Sequence, residues 1–366
     1  MADLHVAFFN IGAFICAVFV LHYGADLFVD HTVIVARRLG LNQTLIALLT
    51  AGAEWEELAV VIAALAQHKP SLALGNVIGS CISNILGAFS LGLLFRPFSK
   101  FDQSARVYSL AQLAITAAVV TSLATAGPAR MGKIGGSILV SSFVIYILSV
   151  AWSIYRGIVK LPEGDDDEES SVTAPLLSGT PSEGSGHGDV SVTTPLLAHS
   201  PPTATSGSPT EGGARRLGYH VTQIMIGFLS LSLSGYVLSH AASSLSSSLG
   251  VSETVMGLTI LSFATTLPEK LVALVSGSRG HSGILVAVTA GSNIFLLTLC
   301  IGVALLGTGE RQLPREELKT GELVILCASA CVFAVVVWLG TTRWIGALMF
   351  AGYLTFLVLE FTIWRR

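Results

Sequence analysis

A polar stretch at about residues 156–216 divides the chain in two, and five apolar runs of membrane-crossing length lie on each side of it. A helix needs about 20 predominantly apolar residues to cross the hydrocarbon core. By that measure the runs fall near 7–29, 41–66, 72–95, 106–125, 134–155, 217–239, 253–276, 282–306, 321–340 and 344–363. In lipid, each segment must satisfy its own backbone polar groups, so runs of this kind specify helices. The expected fold is all-α, with about ten transmembrane helices.

The two parts are related. Glu269 minus Glu57, Ser292 minus Ser80 and Gly291 minus Gly79 each give 212. Upstream, Gly250 minus Gly40 and Thr254 minus Thr44 give 210, so the first copy lacks two residues near Ala47 to Gly52. Five crossings per copy is an odd number, so the second copy enters the membrane from the opposite face. The expectation is two inverted five-helix repeats, residues 1–155 and 217–366, whose equivalent helices meet near the midplane as in many secondary carriers. The segment between them, 156–216, is rich in Ser, Thr, Pro, Gly and acid, repeats SVTAPLL at Ser171 as SVTTPLL at Ser191, and is expected to be a disordered hydrophilic loop.

Composition excludes the soluble classes. The chain has 366 residues, 52% hydrophobic and only 12% charged, with mean hydropathy +0.72, against about 25% charged residues in soluble domains. The net charge of −3 partly reflects the run Asp165 to Glu169, and no basic face for nucleic acid is present. Cys16, Cys81, Cys300, Cys327 and Cys331 lie in apolar stretches without zinc or disulfide spacings. The first apolar run is too long for a cleavable signal and is expected to remain as a helix. The partners in view are the lipid bilayer and inorganic cations.

The residues that carry chemistry are carboxylates deep in apolar runs. An ionised side chain at the bilayer centre costs from about 3 to more than 10 kcal/mol, so Glu57 and Glu269 must face a partner, a cavity or an ion. In the second copy SFATTLPEK runs from Ser262 to Lys270, and GSNIF follows from Gly291. Carboxylate, hydroxyl, amide and carbonyl oxygens are the ligands of hard cations. Pro268 removes a helical donor and should free the carbonyl of Ala264. Thr265, Thr266 and Ser292 could instead bond back to their own helices, and Gly291 could be a close-packing residue.

GADLFVDHTVIVARRLG from Gly24, GNVIGSCISNIL from Gly75, LGVSETVMGLTILSFATTLPE from Leu249 and TAGSNIFLL from Thr289 together resemble the cation/Ca²⁺ exchanger superfamily. Its two alpha-repeats read like GTSLPE in one helix and GSNIFN in the next; here they fall within 41–95 and 251–306. The resemblance implies a ten-helix inverted-repeat antiporter that exchanges Ca²⁺ for Na⁺ or H⁺, with transported ions rather than a cofactor. Carried over by position, Glu57 and Glu269 are the paired metal-binding carboxylates, surrounded by Glu54, Thr265, Thr266, Ser80, Ser292 and Asn293. Thr50, Glu56, Asn76, Cys81, Asn84 and Lys270 are possible lining residues.

The departures lie mostly in the first copy. It reads Gly52, Ala53, Glu54, Trp55, Glu56, Glu57 where the family has Gly, Thr, Ser, Leu, Pro, Glu, so a threonine is lost and acids are gained. Glu56 stands where the second copy has Pro268, which predicts a weaker helix break in repeat one. Cys81 replaces the amide that Asn293 retains, and a neutral thiol is a poor Ca²⁺ ligand. Lys270 is expected to pair with Glu54 or Glu56 across the repeat interface. Three acids and one lysine can leave a site of net charge −2, and like charges resist joint ionisation, which favours H⁺ over Na⁺ as counter-ion.

Asp26 and Asp30 are expected at the interface or paired with Arg37 or Arg38, with a gating role as the alternative. His68, His220, His240 and His281 are expected near span ends. Asn76 and Asn84 either line the site or tie neighbouring helices. Connecting segments on the face opposite the N-terminus carry eleven basic residues against eight, which places that face and the central loop in the cytosol. The twin PLL segments suggest an endomembrane such as vacuole or ER. Competing functions are exchange of K⁺, Mn²⁺ or Mg²⁺ on the same fold, and a membrane sensor or scaffold that has lost transport. No HExxH or GxSxG motif supports an enzyme.

Overall fold

The computed structural model describes residues 2–39, 53–95, 98, 100–155, 209–308 and 319–362. Every regular element among them is helical. In the first half these are α1 (Ala2–Arg38), α2 (Trp55–Ala66), α3 (Pro70–Phe95), and a helical stretch Gln103–Tyr155 holding two spans, α4 (Gln103–Thr125) and α5 (Met131–Ser149). The second half holds α6 (Pro209–Leu249), a pair α7 (Glu253–Thr265) and α8 (Leu267–Arg279) bent by 50°, α9 (Ser282–Gly307), α10 (Thr320–Leu339) and α11 (Arg343–Thr362). Eight of these segments are long and apolar enough to cross a membrane, and the bent pair counts as a ninth. The first part of the expected second span, 41–52, lies outside the described residues, as does the loop from 156 to 208. Helix α6 begins at Pro209, earlier than the boundary expected at 217.

The repeat offset holds down to element boundaries. Adding 212 to Trp55 gives Leu267, to Pro70 gives Ser282 and to Phe95 gives Gly307, the limits of α8 and α9. Within α3 the turns from Ser83 to Phe89 widen to π geometry, and within α9 those from Leu296 to Cys300 do the same. Shifted by 212, residues 84–88 fall on 296–300. Such π turns insert a residue into the helical ladder and recur at functional sites.

Inversion follows from how equivalent helices meet. A Cβ on Gly24 of α1 would lie 2.8 Å from the Ser230 Cβ and 3.3 Å from the Gly227 carbonyl of α6. Seven residues further along α1, His31 meets His220, seven residues earlier on α6. The two first helices therefore run antiparallel along each other. At the centre, Asn293 Nδ2 donates to the Cys81 carbonyl at 3.1 Å, and these two residues are themselves 212 apart. Residues in equivalent positions touch only where a pseudo-two-fold axis passes, so the axis runs between α3 and α9.

Burial separates an inner from an outer layer. The most apolar stretch of α3 is 83% buried and that of α9 is 72%, against 28% for α1 and 6% for α5. All thirteen residues from Pro70 to Ile82 are buried. Such density requires small residues at the contacts: a Cβ on Gly79 would collide with the Leu258 carbonyl of α7 and sit 2.6 Å from Ser262 Oγ. The halves also interlock, since Gly136 of α5 packs on the Gly302 carbonyl of α9 and Gly346 of α11 on the Ser90 carbonyl of α3. The long outer helices thus clamp two inner helices whose middles carry the polar residues.

Candidate cation site

The helices break where the carboxylates are. Thr266, at φ −91° and ψ 19°, interrupts the bent span before Pro268, and Glu269 falls in the first turn of α8. In the first repeat Glu54 occupies the same position, at φ −86° and ψ 72°, and Glu56 and Glu57 fall in the first turn of α2. Helix α2 thus starts without a proline, and the residues before 53, on which the expected weaker break of repeat one depends, lie outside the described residues. Both helix starts turn unpaired N–H groups and a partial positive charge toward their own carboxylates.

These acids form one cluster around the axis. Ligand oxygens of Glu54, Glu56 and Glu57 lie within 4.8 Å of one another, the spread that two oxygens reach when both stand about 2.4 Å from one Ca²⁺. Glu269 faces them from the other repeat, within electrostatic range of Glu54, Glu56 and Glu57. Glu54 is 2% exposed and Glu57 is fully buried. Both oxygens of Glu54, both of Glu57 and Oε2 of Glu269 receive no hydrogen bond from any described residue. Buried polar atoms are otherwise almost always paired, and a buried carboxylate without a donor or counter-charge is strongly unfavourable. These oxygens fit a hard cation.

The expected neighbours divide into two groups. Ser80 Oγ, Asn84 Oδ1 and both polar atoms of Asn76 are buried without a hydrogen bond. Ser292 stands beside Glu54 and, with Asn84, Thr289 and Glu269, lines a narrow cleft. Thr265 Oγ1 donates to the Leu261 carbonyl at 3.1 Å and Thr266 Oγ1 to the Ser262 carbonyl at 2.6 Å. These bonds consume the hydroxyl protons; Thr265 keeps its oxygen lone pairs, whereas Thr266 Oγ1 faces Lys270 Nζ and Ser83 Oγ. Asn293 instead acts as a tie, because Nδ2 is spent on Cys81 and Oδ1 accepts from Asn84 Nδ2 at 3.3 Å. Cys81 is fully buried on the axis. Thr50 lies outside the described residues.

One expectation is corrected by packing. Lys270 makes no ion pair with Glu54 or Glu56; its Nζ donates to Ser83 Oγ at 2.8 Å, Thr266 Oγ1 at 2.5 Å and the Thr266 carbonyl at 3.2 Å. Glu56 turns away to His22, whose Nδ1 lies 3.4 Å from its Oε1. Asp26 is exposed on α1 and lies within electrostatic range of Glu56, Asp30 and His22. His220 lies near the start of the span Leu217–Leu249, as expected, and joins His31 across the two first helices, Nδ1 to Nδ1 at 2.9 Å.

Residues missed from the sequence complete the site. The carbonyl of Ala264, freed by Pro268 as expected, lies 3.4 Å from His22 Nε2, so one histidine spans the breaks of both repeats. Ser83 and Tyr353 share a 3.0 Å hydrogen bond and close the pocket around Lys270. Repeat arithmetic hides them, because the position equivalent to Ser83 is Phe295 and that equivalent to Lys270 is Leu58. In repeat one that corner is aromatic: Trp55 meets Phe28 at 5.8 Å and Phe295 at 5.9 Å, and Phe295 meets Phe143 at 5.4 Å.

Two inverted helical repeats that gather carboxylates at broken helices on their common axis define an ion carrier of the inverted-repeat class. The family model described as sodium/calcium exchanger protein matches residues 9–152 and again 219–362, and the chain belongs to that family of cation/Ca²⁺ antiporters. It is 25% identical over 351 residues to the uncharacterized membrane protein MJ0091 of Methanocaldococcus jannaschii, covering 94% of this chain and 96% of that one. It is 26% identical over 286 residues to the putative antiporter CaxA of Alkalimonas amylolytica, covering 77% and 76%. A solved structure of the sodium-calcium exchanger NCX_Mj shares the fold, with a TM-score of 0.56 at 21% identity over 96% of this chain and 99% of that one.

Proposed function

We propose that this chain is a secondary active antiporter that exchanges Ca²⁺ for H⁺ or Na⁺ by alternating access at the mid-membrane carboxylate cluster. The observation that carries this reading is the set of five buried carboxylate oxygens, contributed by both repeats, that no protein donor satisfies. Glu57 and Glu269 are the paired metal ligands, with Glu54, Ser80, Ser292 and Thr265 supplying further oxygen, while Thr266 Oγ1 is engaged by Lys270 and Ser83. Asn76 and Asn84 line the approach, and Asn293 holds the two inner helices in register. A divalent ion and monovalent ions alternate as counter-charge to the same acids, so the empty, fully ionised site is the costly state to carry across. Mutual repulsion among the acids favours H⁺ as the partner ion. The protein acts as a carrier and not an enzyme, in an endomembrane with the central loop cytosolic.

Uptake of ⁴⁵Ca²⁺ into proteoliposomes of purified protein, driven separately by outward H⁺ and Na⁺ gradients, tests the reading. The expected result is uptake under one gradient, greater with H⁺, and abolished by Glu269→Gln. Wild type that matches empty liposomes under both gradients while remaining folded overturns Ca²⁺ exchange. Direct uptake of K⁺, Mn²⁺ or Mg²⁺ under the same gradients then identifies the ion carried instead.

A further inference from the structure

Lys270 is the one lysine or arginine buried among the described residues, at 8% exposure. A buried ammonium beside carboxylates would ordinarily be drawn into an ion pair. Its three hydrogen bonds go elsewhere, to the hydroxyl of Ser83 and to the hydroxyl and carbonyl of Thr266. The ring of Phe263 lies 4.8 Å from Nζ and that of Tyr353 6.0 Å, both within the range of cation–π attraction. Ser83 Oγ is held in turn by Thr266 Oγ1 at 3.0 Å and Tyr353 OH at 3.0 Å. Neutral hydroxyl and carbonyl oxygens grouped around a single positive charge form the donor set of a small monovalent cation.

We infer that the Lys270 ammonium is a tethered monovalent cation, filling a position that would otherwise take a mobile alkali or ammonium ion, and that it fixes how many ions the carrier binds. Glu54, Glu57 and Glu269 together carry three negative charges when ionised, while Glu56 is matched by His22. With the tethered charge in place the remaining two are neutralised by one divalent ion, and no monovalent ion has to accompany it. Without Lys270 a divalent ion leaves one negative charge over, and the vacated oxygens can bind a monovalent ion beside it. The device exists once per molecule, because Leu58 and Phe295 stand at the equivalent positions of the other repeat. The inference rests on the exchange reading for its consequence, but the occupancy of the oxygen cage can be measured without transport.

The experiment compares thermal stability of detergent-purified wild type, Lys270→Ala and Lys270→Met in N-methylglucamine, Na⁺, K⁺ and methylammonium chlorides at equal ionic strength. Methylammonium is the lysine head group without its tether. Wild type should gain nothing from K⁺ or methylammonium over N-methylglucamine, and a gain in Na⁺, if Na⁺ is the exchanged ion, should be lost with Glu269→Gln. The variants should melt lower in N-methylglucamine and regain stability with methylammonium or Na⁺, on the order of 2 °C per tenfold increase in concentration once the site is filling. A purely structural lysine would give a loss that no small cation restores, and that result overturns the inference. Where a folded variant is obtained, its ⁴⁵Ca²⁺ binding should come to require a monovalent ion, whereas wild type should bind equally in N-methylglucamine. If neither variant folds in any salt, the wild-type binding measurement decides: a requirement for a monovalent ion overturns the inference, and independence from one supports it. Failure of Ca²⁺ exchange itself would show in the Glu269→Gln assay and would leave the cation-dependent stability of the variants unchanged.

Discussion

The two helix breaks are built at equivalent places from different materials. In repeat two the break follows from Thr266 and Pro268, and the space behind it is polar, filled by Lys270, Ser83 and Tyr353. In repeat one the helix starts after Glu54 without a proline, and the space beside that start is filled by Trp55, Phe28, Phe295 and Phe143. Both halves deliver a glutamate to the same axis. The backbone geometry is therefore the shared element, and the charge environment is where the halves have diverged: one contributes extra acid, the other a fixed positive charge.

That comparison can be broken in graded ways. The largest effect is expected from the carboxylates, where Glu57→Gln and Glu269→Gln should each lower exchange on the order of 100-fold or more, since each removes a charge the other half does not replace. Equal retention of transport by either variant would show that the halves are not used together. Next is Leu58→Lys, which places an ammonium in repeat one where aromatic rings, not hydroxyls, form the surroundings. It should destabilise the protein by about 3 kcal/mol, read as a lowered melting temperature in detergent. A stable variant would show that the polar cage around Lys270 is not what makes a buried lysine tolerable.

A smaller effect is expected from His22→Phe, which keeps the ring but leaves the Ala264 carbonyl and Glu56 without their partner. The loss should be about 1–2 kcal/mol, with exchange slowed, and Glu56→Gln in the same background should add little. Independent losses in the double variant would mean that His22 does not couple the two breaks. The smallest belongs to Lys69→Ala. It removes a 2.7 Å ion pair with Glu253 that joins the turn between α2 and α3 to the start of α7, but with 38% and 24% of the side chains exposed the cost should be below about 0.5 kcal/mol.

Much of the architecture was legible because duplication leaves arithmetic behind. One offset located both glutamates and both Gly-Ser pairs, and the odd number of crossings required inversion. What the sequence did not expose depends on which helix faces which. Nothing near His22 signals that it will reach Ala264, some 240 residues away, because that contact depends on how α1 lies across the bent span. Lys270 was visible as an intruder but was assigned to the nearest acids; in the fold, the hydroxyls of Ser83 and Thr266 are in reach and the acids of repeat one are not. Asn293 looked like a ligand because amides coordinate cations, yet its position on the axis commits both of its polar atoms to the opposite inner helix.

The paired π turns carry a chronology. A π turn holds one residue more than the α-helical path it replaces, and α3 and α9 carry theirs at the same place in the repeat. A single early insertion, copied when the ancestral five-helix gene was duplicated, accounts for both, whereas separate events would have had to find the same turn twice. The two-residue difference in length near Ala47 to Gly52 has no such counterpart, and it can only postdate the duplication, as can the contrasts of Lys270 with Leu58, Glu54 with Thr266 and Glu56 with Pro268. The helical irregularity is thus the older inheritance, and the electrostatic difference between the halves was added to a frame that already had it.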